Sequence, residues 1–215
     1  QECLERFGPF QPVKNRNAIW FHVVSVGETN AAQPLIEHYL KASHPVLVTN
    51  TTKTGQARAK QLFLKAPYES LFQAVYLPAD QKKLVRRFIE KYQPKMLALV
   101  ETELWPNLMI EADQANVPCL LINARLSEKS AKGYGKVPSL TQPMLKSLKQ
   151  LLAQDQATLA RFIELGANPH TSQVVGSIKF DIHAPDSFVQ QAAQLRQDWA
   201  LQERKIITIA STHAP

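Results

Sequence analysis

A chain of 215 residues, 45% of them hydrophobic, can bury a full core, which excludes disorder and points to one large domain with at most a small appendage. Its three Trp, nine Phe and five Tyr are spread along the sequence, and no stretch approaches the roughly eighteen apolar residues of a membrane span. A formal charge of +7 and a pI of about 9.4 call for an anionic partner: a phosphorylated ligand, an acidic membrane surface or nucleic acid.

The first eighteen residues read as a mixed polar leader. From there, apolar runs of strand length alternate with segments of helical periodicity, the signature of βαβ units. Ile19 to Val26 is predicted as a first strand, and Ala31, Ala32, Leu35, Ile36, Tyr39 and Leu40 form one apolar face on the helix after it. Val46 to Val48 is the second strand, the polar loop Thr49 to Thr54 follows, and a helix runs to about Phe63. Ala74 to Leu77 makes the third strand, and Leu84, Val85, Phe88, Ile89 and Tyr92 stripe another helix. Met96 to Val100 is a buried-type strand, Leu104 to Asn116 a helix and Cys119 to Ile122 a further strand.

Beyond these, strands are expected at Leu151 to Ala153 and at Val174 to Val175, flanking a helix whose C-terminus Gly166 is placed to cap. A last helix, Asp186 to Leu201, leads to a strand-like run at Ile206 to Ala210. The expected fold is α/β: a doubly wound, mostly parallel sheet, whose ligands bind at the carboxyl ends of the strands. Loops after strands are therefore where chemistry is sought.

The first such loop, Ser25-Val26-Gly27-Glu28, has a glycine suited to a tight turn with close backbone approach to a ligand, and a carboxylate at a helix N-terminus. Glu28 either complements the helix dipole or, if desolvated, serves as a general base toward an attacking hydroxyl. The second loop offers Thr51, Thr52 and Lys53, hydroxyls and an ammonium suited to phosphate or sugar oxygens, or else a simple turn with an N-cap. After the fourth strand, Glu101-Thr102-Glu103-Leu104-Trp105-Pro106 places two carboxylates on an apolar background. Glu103 has an obvious capping role, whereas Glu101 has none.

From Asn123 to Gln150, Arg125, Lys129, Lys132, Lys136, Lys146 and Lys149 face Glu128 alone, so most of the net charge is local. With Gly133, Tyr134 and Gly135 among them, these residues read as a flexible basic loop, either a solvated face or a site for phosphates and anionic headgroups. Gly176-Ser177-Ile178-Lys179-Phe180-Asp181 follows the late strand, and its Lys179 either places a positive charge in the cleft or is an ordinary surface lysine. No Asp-x-Asp pair occurs and the histidines lack ligand spacing, so no metal and no cofactor are expected. Cys3 and Cys119 give no disulfide framework, which favours a reducing compartment.

Ser25-Val26-Gly27-Glu28, the string Glu101 to Asn107, Asn123-Ala124-Arg125-Leu126-Ser127 and Gly176 to Asp181, in this order and spacing, resemble the 3-deoxy-manno-octulosonic acid (Kdo) transferases of Gram-negative bacteria. The resemblance runs from about Ile19 to His213. It implies a GT-B glycosyltransferase: two Rossmann-like domains facing a cleft, an N-terminal anchor at the cytoplasmic face of the inner membrane, and metal-independent inverting transfer of Kdo from CMP-Kdo to a lipid A precursor.

In those terms residues 1–18 follow an anchor, 19–184 form the acceptor domain, and 185–215 lead into a donor domain that carries the CMP-binding motifs. Glu28 matches the family's proton acceptor, and Glu101 and Lys179 match positions assigned to transition-state stabilisation. Ser25, Gly27, Thr51, Thr52, Lys53, Arg125, Ser127 and Lys129 are then candidates for acceptor binding, with the membrane surface as a further partner and nucleic acid as none. Another GT-B enzyme acting on a nucleotide sugar, and a non-enzymatic basic binding module, stand as the alternatives.

Overall fold

The computed structural model describes residues 2–181, 186–201, 204, 205 and 207. Residues 1–181 form one compact unit and 182–215 a second.

In the first unit the order of elements is α1 (Glu2–Phe7), β1 (Ile19–His22), α2 (Val26–Lys41), β2 (Val46–Asn50), α3 (Lys53–Phe63), β3 (Phe72–Tyr76), α4 (Lys82–Tyr92), β4 (Met96–Val100), α5 (Pro106–Gln114), β5 (Cys119–Ala124), α6 (Glu128–Gly135), α7 (Pro138–Lys146), β6 (Leu148–Ala153), α8 (Gln156–Glu164) and β7 (Ser172–Val174). The seven strands are all parallel, in the order β3-β2-β1-β4-β5-β6-β7. The order reverses between β1 and β4, so a crevice opens at their carboxyl ends.

Side chains alternate across this sheet with the period of two that a pleated strand imposes. Ile19 and Phe21, Val46 and Val48, Ala98 and Val100 meet Ala32, Ile36 and Leu40 of α2 and Ala59 and Phe63 of α3. Trp20, Leu47, Leu97, Leu99 and Leu121 point to the other face, against Val85, Phe88 and Tyr92 of α4, Leu108 and Met109 of α5, and Phe162 of α8. Two buried faces explain why the strands read as continuous apolar runs. The helical stripe expected at Leu84, Val85, Phe88, Ile89 and Tyr92 is buried at every position.

Gly166 caps α8 as anticipated. At φ 105° it occupies the left-handed region, its N–H donates to the Ile163 carbonyl (2.9 Å), and that of Ala167 donates to the Phe162 carbonyl (2.9 Å).

Two expectations are corrected. The first strand ends at His22, because Ser25 takes the N-cap of α2 and the chain must turn before it. The basic stretch is not a flexible loop but two short helices, α6 and α7, the first capped by the Ser127 hydroxyl and the second opened by Pro138. The mixed polar leader is tied to the sheet and its helices. Phe10 and Val13 pack on the core, Arg6 Nε donates to the Leu77 carbonyl (3.2 Å), and the Tyr92 hydroxyl donates to the Gln11 carbonyl (3.0 Å).

The second unit contains α9 (Asp186–Asp198), with Phe188, Val189, Leu195 and Trp199 exposed. The strand expected at Ile206 to Ala210 lies, Ile207 apart, outside the described residues.

A carboxylate cluster at the switch point

The end of β1 and the start of α2 bring Glu28 to one side of the crevice. Its position follows from reciprocal capping: the Ser25 hydroxyl accepts from the Glu28 N–H (3.3 Å) and donates to Glu28 Oε1 (3.0 Å), while Oε2 accepts from the Val24 N–H (2.8 Å). Both carboxylate oxygens are thus met by neutral donors. The pKa is raised from the ordinary 4.5, first by desolvation and then by the charges of Glu103 and Glu101, against the lowering effect of the Val24 and Ser25 hydrogen bonds. The structure therefore supplies the desolvation on which the general-base reading of Glu28 depends, and the same side chain also caps its helix.

Across the crevice, Glu101 follows β4 with φ 63°, a left-handed conformation uncommon outside glycine. Holding a glutamate there costs on the order of 1–3 kcal/mol, and such strain concentrates at functional sites. The turn is pinned on both sides, by the Glu101 N–H to the Ile122 carbonyl (3.0 Å) and the Arg125 N–H to the Glu101 carbonyl (3.4 Å). Glu101 Oε1 forms an ion pair with Lys179 Nζ at 2.8 Å. Lys179 lies in a 3-10 turn, Ile178–Asp181, that contacts α2, so the three residues singled out from the sequence come together at one edge of the sheet.

His22 and Glu103 complete the cluster; His22 was not anticipated, and Glu103, one of the two carboxylates expected at this edge, reads in the sequence chiefly as a helix cap. His22, the last residue of β1, is fully buried, with Nδ1 3.1 Å from the Thr49 carbonyl and 3.0 Å from its hydroxyl, which also accepts from Trp20 Nε1 (2.8 Å). Its Nε2 lies 3.8 Å from Glu103 Oε2, and Glu103 Oε2 accepts from Trp105 Nε1 (2.8 Å). Glu103 is thus held by the Trp105 indole, with the His22 imidazole 3.8 Å away, within electrostatic reach of Glu28, and is not spent as a helix cap. A lone histidine shows no ligand spacing; its position at the end of a strand beside the switch point was the available signal.

Buried polar atoms without partners also gather here. Among the described residues they are His22 Nε2, Asn50 Oδ1, Gln56 Nε2 and Asn123 Nδ2. Three of these belong to the carboxyl ends of β1, β2 and β5, and Gln56 to the first turn of α3. Each unmade hydrogen bond costs about 1–3 kcal/mol, and their concentration at the carboxyl ends of the strands sets this edge of the sheet apart.

The hydroxyls expected to bind ligand are largely engaged. Ser25, Thr52 and Ser127 are the N-caps of α2, α3 and α6. Thr52 Oγ1 accepts from the Gly55 N–H (3.2 Å) and donates to the Val24 carbonyl (2.8 Å), tying the second loop to the first. Close approach at this seam belongs to Gly55, where a Cβ would lie 2.8 Å from both Thr52 Oγ1 and the Val24 carbonyl. Gly27 is helical, in the first turn of α2, so it supplies no left-handed turn, and a Cβ there would meet only Ser25 Oγ at 3.7 Å.

Thr51 is half-buried, and Lys53 is exposed at the start of α3. Arg125, Ser127 and Lys129 are exposed beside the cluster, where Ser127, Lys129, Lys132 and Lys136 line an open depression of about 830 Å³. The half-buried Tyr134 of α6 is within electrostatic reach of Glu103, which places this basic helix next to the acidic cluster. Among the described residues no three His, Cys, Asp or Glu side chains are arranged to hold a metal ion, and no helix is long and apolar enough to cross a membrane. Burial pushes the Cys119 thiol up to about 12, which leaves it unreactive near neutrality.

A seven-stranded parallel sheet with charged residues at its switch point is a doubly wound, Rossmann-like α/β domain, the fold of each half of GT-B proteins. The fold is similar to UDP-GlcNAc 2-epimerase from Neisseria meningitidis (TM-score 0.55, 13% identity, 87% of this chain and 55% of that one) and to a glycosyltransferase from Rickettsia africae (TM-score 0.53, 12% identity, 88% and 51%).

The family follows from sequence: residues 1–182 match the profile of 3-deoxy-D-manno-octulosonic-acid transferase (kdotransferase), and the chain belongs to that family. It is 39% identical over 210 residues to the 3-deoxy-D-manno-octulosonic acid transferase of Bordetella pertussis and 37% identical over 218 residues to that of Haemophilus influenzae. The alignments take in 96% and 99% of this chain but 47% and 49% of those relatives, so it spans about half their length.

Proposed function

We propose that this chain is the acceptor-side half of an inverting glycosyltransferase that moves Kdo from CMP-Kdo to a lipid A precursor in lipopolysaccharide synthesis, at the cytoplasmic face of the bacterial inner membrane. Residues 19–184 form the acceptor domain, 1–18 follow a membrane anchor, and 185–215 lead to the domain that binds the donor. The observation that carries the reading is Glu28, a carboxylate desolvated beside two others and held by the Val24 N–H and the Ser25 hydroxyl, at the switch point of a family member.

Glu28 takes the proton of the acceptor's primary hydroxyl as its oxygen bonds to the anomeric carbon of Kdo. The bond from that carbon to the phosphate oxygen breaks, and CMP leaves with the electron pair. Glu101 and Lys179 stabilise the charges that develop, the carboxylate suiting positive charge on the sugar and the ammonium negative charge on the departing phosphate. Their 2.8 Å pairing keeps both charges at the crevice with the ammonium held in place. No cofactor beyond the donor substrate takes part.

Ser25, Gly27, Thr51, Thr52, Lys53, Arg125, Ser127 and Lys129 surround the acceptor. Ser25, Thr52 and Ser127 act by setting helix N-termini, and Arg125 and Lys129 meet the acceptor's phosphates and the anionic membrane surface.

The test is Kdo transfer to a tetraacylated, bisphosphorylated lipid A precursor by full-length protein, wild type against Glu28→Gln. Loss of transfer with the fold intact is expected. Near-normal transfer by the variant, or turnover of a UDP-sugar in place of CMP-Kdo, overturns the proposal. Steeply salt-dependent duplex binding would speak for nucleic acid instead.

A further inference from the structure

Lys179 stands outside the regular sheet, in a short turn after β7, yet its ammonium lies 2.8 Å from a carboxylate at the end of β4. A side chain with four rotatable bonds on an exposed turn does not hold such a position unless the turn itself is fixed. Besides its packing on α2, the turn is fixed by a hydrogen bond to Asn123.

This residue follows Ile122 at the carboxyl end of β5, is fully buried, and has φ 52°, which turns its side chain out of the strand's alternation. Its Oδ1 accepts from the Ile178 N–H at 3.2 Å, the amide just before Lys179. Its backbone carbonyl accepts from Gln154 Nε2 at 3.0 Å, and the neighbouring Ile122 carbonyl accepts from the Glu101 N–H at 3.0 Å. One short stretch of β5 therefore holds the turn that carries Glu101 and, through the Asn123 side chain, the turn that carries Lys179.

A purely local reason for asparagine exists, since it tolerates left-handed backbone better than most residues. That reason does not account for a side chain spanning 55 positions to a backbone donor while its own Nδ2 stays buried without a partner. The donor at Ile178 can be met only by the carbonyl end of the amide, so the orientation is fixed by the contact.

We propose that Asn123 is a positioning residue, which tethers the 177–181 turn through the Ile178 N–H and so sets Lys179 against Glu101. The inference rests on the proposed function only for its consequence in transfer; the tether itself is a property of this chain. Gln154 and Ile122 act through backbone partners and survive side-chain changes at 123.

Asn123→Gly removes the tether without backbone strain, because glycine accepts φ 52° freely. In this chain, the Ile178 amide is expected to exchange with solvent at least about tenfold faster in the variant, with β4 and β5 amides unchanged. The carboxyl carbon resonance of Glu101 is expected to move in the same direction in Asn123→Gly as in Lys179→Met. Unchanged Ile178 exchange, or a Glu101 resonance that responds to Lys179→Met alone, overturns the proposal.

In full-length protein, Asn123→Gly is expected to lower kcat about tenfold with little change in KM, and to cost less than about twofold once Lys179 is already Met. Independent, multiplicative losses in the double variant also overturn it. Absence of transfer by the wild type removes the proposed function, while amide exchange and the Glu101 resonance still decide the tether.

Discussion

Glu111 and Glu28 are both withdrawn from water, and their surroundings are opposite. Glu111 on α5 is 3% exposed and lies between two cations of α4, with Arg86 Nε at 2.9 Å from Oε2 and Lys82 Nζ at 3.7 Å from Oε1. Glu28 is less buried, yet among the described residues its recorded partners are one backbone N–H and one hydroxyl, and its charged neighbours are carboxylates. Burial with cations yields a structural ion pair across a helix seam. Burial with neutral donors and like charges yields a carboxylate that holds its proton more tightly than usual, the property a base near neutrality requires.

The largest expected effect separates the two outright. Glu28→Gln keeps an oxygen for the Val24 N–H, removes the base, and should lower kcat for Kdo transfer by about 10²–10⁴-fold. Glu111→Gln should leave transfer within about twofold. Equal losses in steady-state assays of both variants would erase the contrast.

Stability should divide the other way. Arg86→Ala leaves Glu111 with only the more distant ammonium and is expected to cost about 1–3 kcal/mol, read as a lower urea midpoint with transfer per folded molecule unchanged. Gly55→Ala should cost a similar amount, about 1–3 kcal/mol, because the added Cβ meets the Val24 carbonyl at 2.8 Å.

The raised pKa of Glu28 makes a pH-dependent prediction of definite sign. A carboxyl that holds its proton more tightly when folded than when unfolded costs stability once ionised, and the cost disappears as pH falls through the raised value toward 4.5. Glutamine does not ionise. The stability of Glu28→Gln relative to wild type should therefore increase with pH across a window opening near 4.5 and closing above the raised value. A difference that is flat with pH, measured by urea unfolding at several pH values, would return Glu28 to a purely capping role.

Glu103→Gln removes one of the charges raising that pKa. The acid limb of the transfer rate should move to lower pH in this variant; a limb that stays in place would show that Glu28 is not the group reported there.

Gly27→Ala is the smallest change. A helical position with open space for a Cβ should shift stability by less than about 1 kcal/mol. A fall in transfer without a fall in melting temperature would locate backbone contact with the acceptor at Gly27.

Much of the fold was legible because both of its periodicities are local. Alternation along β1, β2 and β4 and the stripe on α4 each follow from which side chains a single element buries. The basic stretch was misread as a loop for an equally local reason: glycines and tyrosine interrupt its periodicity, while the Ser127 cap and Pro138, which start helices there, are weak signals alone. Of the candidate site, Glu28 and Glu101 stand out in the sequence by their places after strands, and the motif resemblance adds a role for Lys179. His22 does not stand out, nor do the contacts that Glu103 and Asn123 make, since these join residues 81 and 55 positions apart.

By itself, then, the sequence determined an α/β chain with charged loops after its strands, because strand and helix patterns and loop composition are properties of neighbouring residues. Only the tertiary structure decided which loops meet. Strand order places β1 beside β4, and this adjacency brings three carboxylates together and withdraws Glu28 from water. Proton affinity depends on desolvation and on charges nearby in space, and neither quantity is written along the chain.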